Sequence, residues 1–492
     1  MESTPPSTMS ETGKLHIVMF PWLAFGHMLP FLEVSRLIAQ KGHKISFVST
    51  PRNIDRLPKL PPNVAPLINF VKLPLPHVEN LPENAESTSD LPYHMVKYLK
   101  RAYDLLQQPL TSFLEAASPD WVIYDMIPYW VGAIAAKLHI SSALFCIFIA
   151  SSMTYFGPAS FLLEPPNDYP KKPEDFTVPP KWVPFKSTVA FRLFEIMRLF
   201  DEVEGDGEGG VPGVHRVGKG IEDCDVMILR SSYEFEPEWL RILGDIHRPK
   251  PVIPVGQLPA ISYHDDDEDP AWREMKKWLD EQSKGSVVYV AYGSEAKPSQ
   301  AELTEIALGL ELSELPFFWV LRKRRGMADT EVIELPEGFE ERTRGRGWVC
   351  TGWAPQFKIL SHDSVGGFLT HSGWSSVVEG IQFGRALILL TFLAEQGLNA
   401  RVLEEKRMGY SIPRDERDGS FMSDSVAESL RLVMVEEGGK IFRDKAKEMR
   451  GLFGDRNTQD KYVDNLLAHF QSHEKRGTQG GNLSDPNVDV SE

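Results

Sequence analysis

The stretch from Trp353 to Gln396 most narrows what this chain can fold into. Val365 to Thr370 is an apolar run with a glycine pair, of strand length and composition. His371-Ser372-Gly373-Trp374-Ser375-Ser376 then crosses into a helical pattern carrying Val377, Val378, Glu379 and Ile381. A second apolar run, Ala386 to Phe392, delivers Glu395-Gln396 at its carboxyl end. Strand, small-residue turn, helix and strand form a βαβ unit, and such units take ligands outside the carboxyl ends of their strands.

The residues at those ends suggest what kind of ligand. A helix that opens at Gly373 and Trp374 offers free backbone N–H groups and the positive end of its dipole, which suits a phosphate. Ser375 and Ser376 add hydroxyls, and His371 can donate to an oxygen anion. In Trp353-Ala354-Pro355-Gln356 a flat aromatic able to stack on a base stands beside an amide that bonds in two directions. Glu379 suits a diol such as a ribose, and Glu395 with Gln396 would face whatever lies beyond the phosphates. Base, ribose, diphosphate and polyol are the parts of a nucleotide sugar.

These residues resemble the signature box of the plant UDP-sugar-dependent glycosyltransferases (glycosyltransferase family one). The box spans 44 residues here and matches the family length without a gap. The chain's layout from about Lys14 to His473 is similar too. It departs from the family at Ser372 (usually Cys), Ser375 (usually Asn), Arg385-Ala386 (commonly Val-Pro) and Glu395 (frequently Asp). The form HSGWSS resembles the group that extends sugars already on an acceptor. The resemblance implies a GT-B fold, two facing Rossmann-like doubly wound domains, with inverting transfer of a hexose from a UDP-sugar. It also implies no resident cofactor and no essential metal, because UDP-glucose or a related UDP-hexose is a co-substrate. Gln396 resembles a family position often linked with glucose donors, while a terminal Gln is also compatible with rhamnose, xylose or galactose.

Composition sets bounds. With 492 residues there is room for two full cores. A net charge of −16 argues against nucleic acid and anionic membrane surfaces as partners. The three cysteines Cys146, Cys224 and Cys350 show no metal spacing, and so sparse a count fits a reducing compartment. No apolar run reaches the ~18 residues of a membrane span, and the first residues lack a signal-peptide core. A cytoplasmic monomer is the expectation.

Along the chain, strands and helices alternate twice, which argues for two doubly wound α/β units. The expected division is a tail 1–14, an acceptor-binding domain 15–255 and a linker 256–272 with the acidic run Ser262 to Asp269. A UDP-sugar-binding domain 273–455, a helix 456–473 crossing back to the first domain, and a tail 474–492 follow. Strands are expected at Leu15 to Phe20, Lys44 to Ser49, Trp121 to Asp125 and Ser142 to Phe148. Helices are expected at Met28 to Gln40, Leu91 to Ala116 and Pro298 to Leu312.

His27 lies where the first strand's carboxyl end meets a helix. Imidazole titrates near neutrality and could remove a hydroxyl proton, a contribution of roughly 10²–10⁴-fold. Position alone fits a helix-capping histidine equally well; Phe25-Gly26-His27 resembles the family's catalytic-histidine turn. Asp125 ends a strand expected beside the first, where a carboxylate could orient His27 or simply cap the next helix. Tyr124-Asp125 followed by Pro128-Tyr129-Trp130 matches the family pattern. Ser294, after Tyr292-Gly293, ends another strand and could meet a phosphate oxygen or serve only as a turn serine. Phe25, Phe145 and Leu393 are expected to line an acceptor pocket for a flavonoid- or terpenoid-sized plant metabolite or its glycoside.

Gly205-Asp206-Gly207-Glu208-Gly209-Gly210 satisfies GxGxxG, but no strand precedes it and its carboxylates would repel a pyrophosphate. Two other readings would use the same UDP pocket. One is a UDP-sugar hydrolase or epimerase, and the other a non-catalytic UDP-sugar-binding protein, which would lack a base.

Overall fold

The computed structural model describes residues 13–165, 170–204, 210–261, 269–323 and 329–473. Two wholly parallel sheets organise them. The first comprises β1 (His16–Phe20), β2 (Lys44–Ser49), β3 (Ile68–Lys72), β4 (Trp121–Tyr124), β5 (Ser141–Cys146), β6 (Val226–Leu229) and β7 (Val252–Pro254). Its spatial order is β3-β2-β1-β4-β5-β6-β7. The second comprises β8 (Val287–Ala291), β9 (Phe317–Val320), β10 (Gly347–Cys350), β11 (Val365–Thr370), β12 (Ala386–Leu389) and β13 (Gly409–Ser411), ordered β10-β9-β8-β11-β12-β13.

The central strands of both sheets are apolar on both faces. Helices cover each side of such a sheet, so strands like WVIY in β4 and VVYVA in β8 are buried at every residue. In each sheet the order reverses once, between β1 and β4 and between β8 and β11. A crevice opens outside the carboxyl ends at such a reversal. His27 and Asp125 follow β1 and β4; Ser294 and His371 follow β8 and β11. The register pairs Phe20 with Tyr124, which sets the ends of β1 and β4 level.

The terminal helix Arg456–Ser472 packs on the first sheet, not the second. Its Val463, Leu466, Leu467 and Phe470 join the core of Ile17, Met19 and Phe31. The Phe470 ring stacks on Trp121 at 4.0 Å between centroids. Further side chains bridge the halves. Thr88 Oγ1 donates to Glu295 (2.8 Å), Thr391 Oγ1 to Glu195 (2.7 Å) and Trp374 Nε1 to Gln257 (3.1 Å).

Some boundaries differ from the sequence reading. The helix expected from Met28 begins at Phe25, which moves His27 into its first turn and Pro30 out of it. The single helix expected from Leu91 to Ala116 is instead Val96–Asp104 and Gln107–Ala117, because the chain turns at Leu105-Leu106. Most of both expected tails, of the acidic run Ser262 to Asp269 and of the Gly205–Gly210 motif lies outside the described residues.

Candidate active site

Asp125 is fully buried at the end of β4, and three donors converge on it. Its Oδ2 accepts from His27 Nδ1 (2.8 Å) and from the Trp22 N–H (3.0 Å), and its Oδ1 accepts from the Met126 N–H (2.8 Å). With Nδ1–H given to the carboxylate, Nε2 is the imidazole nitrogen left to accept a proton. The loop between β1 and His27 is itself fixed: Tyr103 donates to the Pro21 carbonyl (2.6 Å), and the Thr88 N–H to Leu23 (3.0 Å).

Burial disfavours the charged form of His27, yet its pKa lies above the usual 6.5. Asp125, by charge and by hydrogen bond, outweighs the burial, and Glu395 and Glu295 push the same way. Glu395 belongs to the second half, at the turn after β12. Its own carboxyl is raised by burial, while the charge on His27 opposes the rise. His27 and Glu395, one from each half, therefore lie within reach of each other's charge.

On the second half, His371 follows β11 and is 8% exposed. Burial pushes its pKa down to about 4, so it is neutral at pH 7 and keeps one ring donor. Two glycines hold it. A Cβ on Gly293, whose φ is +70°, would lie 2.9 Å from the ring, and one on Gly373 would collide with Nε2. Helix Trp374–Gln382 starts after Gly373 with no side-chain cap, so its first-turn N–H groups remain for an anion.

The Trp353 ring is 71% exposed, available to stack on a base. Gln356 ties its segment to the helix by donating to Glu379 (2.7 Å) while accepting from Tyr289 (3.3 Å). Burial raises the Glu379 carboxyl against the opposing Gln356 bond and Arg230 charge. Ala354 is half-buried beside them, and Ser376 is buried in the first turn of the helix. Gln396 Oε1 accepts the N–H groups of Phe392 (2.9 Å) and Leu393 (3.0 Å), which shapes the turn where half-buried Leu393 sits.

Several expected residues are engaged differently. Phe145 is a correction: it is wholly buried in β5 and packs on Phe31 at 4.8 Å, so it lines no pocket. The partly exposed Phe148, three residues on, stands edge-on to His27 at 6.1 Å instead. Phe25 is half-buried two residues before His27, at the first position of the same helix. The Trp374 indole is committed to Gln257 and to Phe235 and Phe453, leaving its backbone N–H for a ligand. Ser375 Oγ accepts from Arg230 (2.7 Å), and Ser294 Oγ donates to Glu295 (3.2 Å). His362, inside the box, is structural, held between Ser364 and Asp280.

Sequence reasoning missed Phe148, Arg230 and Asn399. Asn399 is fully buried; it meets Ser152 of the first half (3.2 Å) and donates to the Ser372 carbonyl (3.0 Å). Ser372 itself has φ +69°. Among the described residues no group of three or more His, Cys, Asp or Glu is placed to hold a metal ion, and no helix is long and apolar enough to cross a membrane.

The buried His27–Asp125 pair on one sheet, a helix start with free N–H groups on the other and the exposed Trp353 alongside are an arrangement that suits a transferase with an activated nucleotide donor. Comparison with known proteins gives the same class. Residues 13–190 match the model described as Glycosyltransferase, N-terminal domain, and residues 223–456 that of UDP-glucoronosyl and UDP-glucosyl transferase. The chain is 55% identical to UDP-glycosyltransferase 91A1 of Arabidopsis thaliana, over 93% of this chain and 97% of that one. It is 42% identical to soyasaponin III rhamnosyltransferase of Glycine max, over 96% and 99%. It is similar in structure to Glycyrrhiza uralensis UGT73P12 complexed with glycyrrhetinic acid 3-O-monoglucuronide (TM-score 0.74, 22% identity, covering 93% and 96%). The chain belongs to the plant UDP-glycosyltransferase family, with the GT-B fold, and is a UDP-glycosyltransferase.

Proposed function

We propose that this enzyme moves a hexose, with inversion, from a UDP-sugar to a hydroxyl of a small plant metabolite or its glycoside. The observation that carries this is the His27–Asp125 pair, whose charge is felt by Glu395 across from it. His27 Nε2 takes the acceptor's proton as its oxygen attacks the anomeric carbon. The bond from that carbon to the UDP oxygen breaks on the opposite face. Asp125 holds the imidazolium that results. The free N–H groups at Trp374 to Ser376 and the His371 donor stabilise the charge on departing UDP. Trp353 stacks on uracil, Gln356 and Glu379 hold the ribose side, and Glu395 and Gln396 meet the sugar.

Glucose is the first donor to test. Rhamnose is the second, because a relative 42% identical is named for its transfer. The acceptor is flavonoid- or terpenoid-sized, with Phe25, Phe148 and Leu393 as its apolar wall, and the HSGWSS form favours a glycoside. No metal takes part, so activity should withstand EDTA. A cytoplasmic monomer fits three cysteines that are all buried and free of disulfides.

The test is product mass spectrometry with UDP-glucose and UDP-rhamnose, offered with aglycones and their monoglucosides. Added hexose or deoxyhexose on the monoglucosides alone supports the sugar-extending reading. Transfer to bare aglycones alone replaces that reading with a first-step enzyme. UDP release with no glycosylated product from any acceptor contradicts the proposal.

A further inference from the structure

Arg230 stands directly after β6 of the first half, yet its side chain reaches the second. It is 3% exposed. Nε donates to the Gln257 carbonyl (3.0 Å), Nη2 to the Leu258 carbonyl (3.4 Å) and Nη1 to Ser375 Oγ (2.7 Å). A guanidinium has five N–H donors. One N–H on each terminal nitrogen is therefore without a partner among the described residues. Burial lowers its pKa to about 10, which leaves it charged at neutral pH.

Among the described residues Arg230 is the one cation recorded in a hydrogen bond with the side chains of Trp374 to Ser376. A diphosphate brings two or more negative charges to a protein of net charge −16. His371 is neutral there, so the helix start offers only partial charge. Ser375 is the link. Its oxygen already accepts from Arg230, so its own proton is free to be donated, and the guanidinium polarises that hydroxyl toward an anionic acceptor. The family's usual Asn at this position would bring its own N–H donors; a serine depends on a neighbour to become an equally strong one.

We propose that Arg230 is a positioning residue for the donor's diphosphate, acting through Ser375 and supplying positive charge from the first half. This rests on reading the start of helix Trp374–Gln382 as the diphosphate site. It makes donor binding depend on both halves, since Arg230 rides on β6 and Ser375 on that helix.

The test compares uridine, UMP and UDP by calorimetry for wild type, Arg230→Met, Arg230→Lys, Ser375→Ala and the double variant, with KM and kcat for UDP-glucose. Arg230→Met and Ser375→Ala should each weaken UDP roughly ten- to hundredfold, the size of one charge-assisted hydrogen bond. Uridine affinity should hold. The double variant should be no weaker than Arg230→Met alone, and Arg230→Lys should restore part of the loss. KM should rise more than kcat falls. A merely structural Arg230, stapling Gln257 and Leu258, would lower thermal stability while UDP and uridine fall together, and that overturns the proposal. If Arg230→Met does not fold, Ser375→Ala decides: unchanged UDP affinity overturns it. A wild-type chain that binds uridine and UDP equally overturns the diphosphate reading itself.

Discussion

Replacing Asp125 with Asn keeps the shape of the side chain but removes a charge and one acceptor oxygen. Oδ2 serves two donors, His27 and Trp22, and Oδ1 serves Met126. A carboxamide has one oxygen, so its NH₂ must oppose either Met126 or the other two, donor against donor. At a fully buried position such an unmet donor costs roughly 1–3 kcal/mol. Even with the oxygen turned to His27, the imidazolium formed during transfer loses its counter-charge. Together these should lower kcat by roughly 10²–10⁴-fold, about 3 to 5 kcal/mol of barrier. The pH profile separates this from general damage. His27 must be neutral to act, so wild-type kcat/KM rises with pH through the raised His27 pKa. In Asp125→Asn the burial that lowers this pKa is no longer outweighed, and the acid limb should move to lower pH. Steady-state UDP release followed across the acid limb reads both effects. A kcat within a few-fold of wild type, or an acid limb that stays or moves upward, refutes the reasoning.

Trp353→Ala should leave the melting temperature almost unchanged, because the ring is exposed. Base stacking of roughly 1–3 kcal/mol is lost, so UDP affinity should fall about ten- to hundredfold by calorimetry; a lowered melting temperature with unchanged affinity would make it a packing residue. Gly373→Ala must displace the His371 imidazole and should cost both stability, roughly 1–3 kcal/mol, and UDP binding. Gly451→Ala is the control, since a Cβ there meets open space inside a helix; equal losses in both variants would remove the steric argument. Burial holds His371 at about 4 when folded against 6.5 unfolded. Its stability contribution is therefore fully present above pH 6.5 and is lost as pH falls from there through about 4. His371→Gln should flatten the fall in urea midpoint between about pH 6.5 and pH 4, with His247, also lowered to about 4, accounting for part of what remains. An unchanged slope counts against the buried neutral form.

Much of the site could be read from the chain because it depends on strand ends. A strand with every position apolar must sit inside a parallel sheet, so Trp121 to Tyr124 could be placed beside Ile17 to Phe20, and Asp125 near His27. The capping pair Ser299 and Glu302 is equally local, and the helix it opens, Gln300–Ser313, starts within two residues of the expectation. What failed was also physical. The run Leu144 to Ile149 is apolar throughout, so period-two alternation gives it no preferred side. The strand stops at Cys146, which buries Phe145 and frees Phe148. Arg230, Glu195 and Asn399 make contacts 145, 196 and 247 residues away, and no local pattern announces such pairings. The early start of helix Phe25–Gln40 escaped notice because its first position carries no side-chain cap.

The central claim is that His27 performs the proton transfer while the donor binds elsewhere. His27→Ala, measured for both sugar transfer and UDP affinity, tests it most directly. Transfer should fall by at least roughly 10²-fold, the contribution of a positioned base, with UDP affinity within about twofold of wild type. Transfer that persists near the wild-type rate would contradict the mechanism built on this pair.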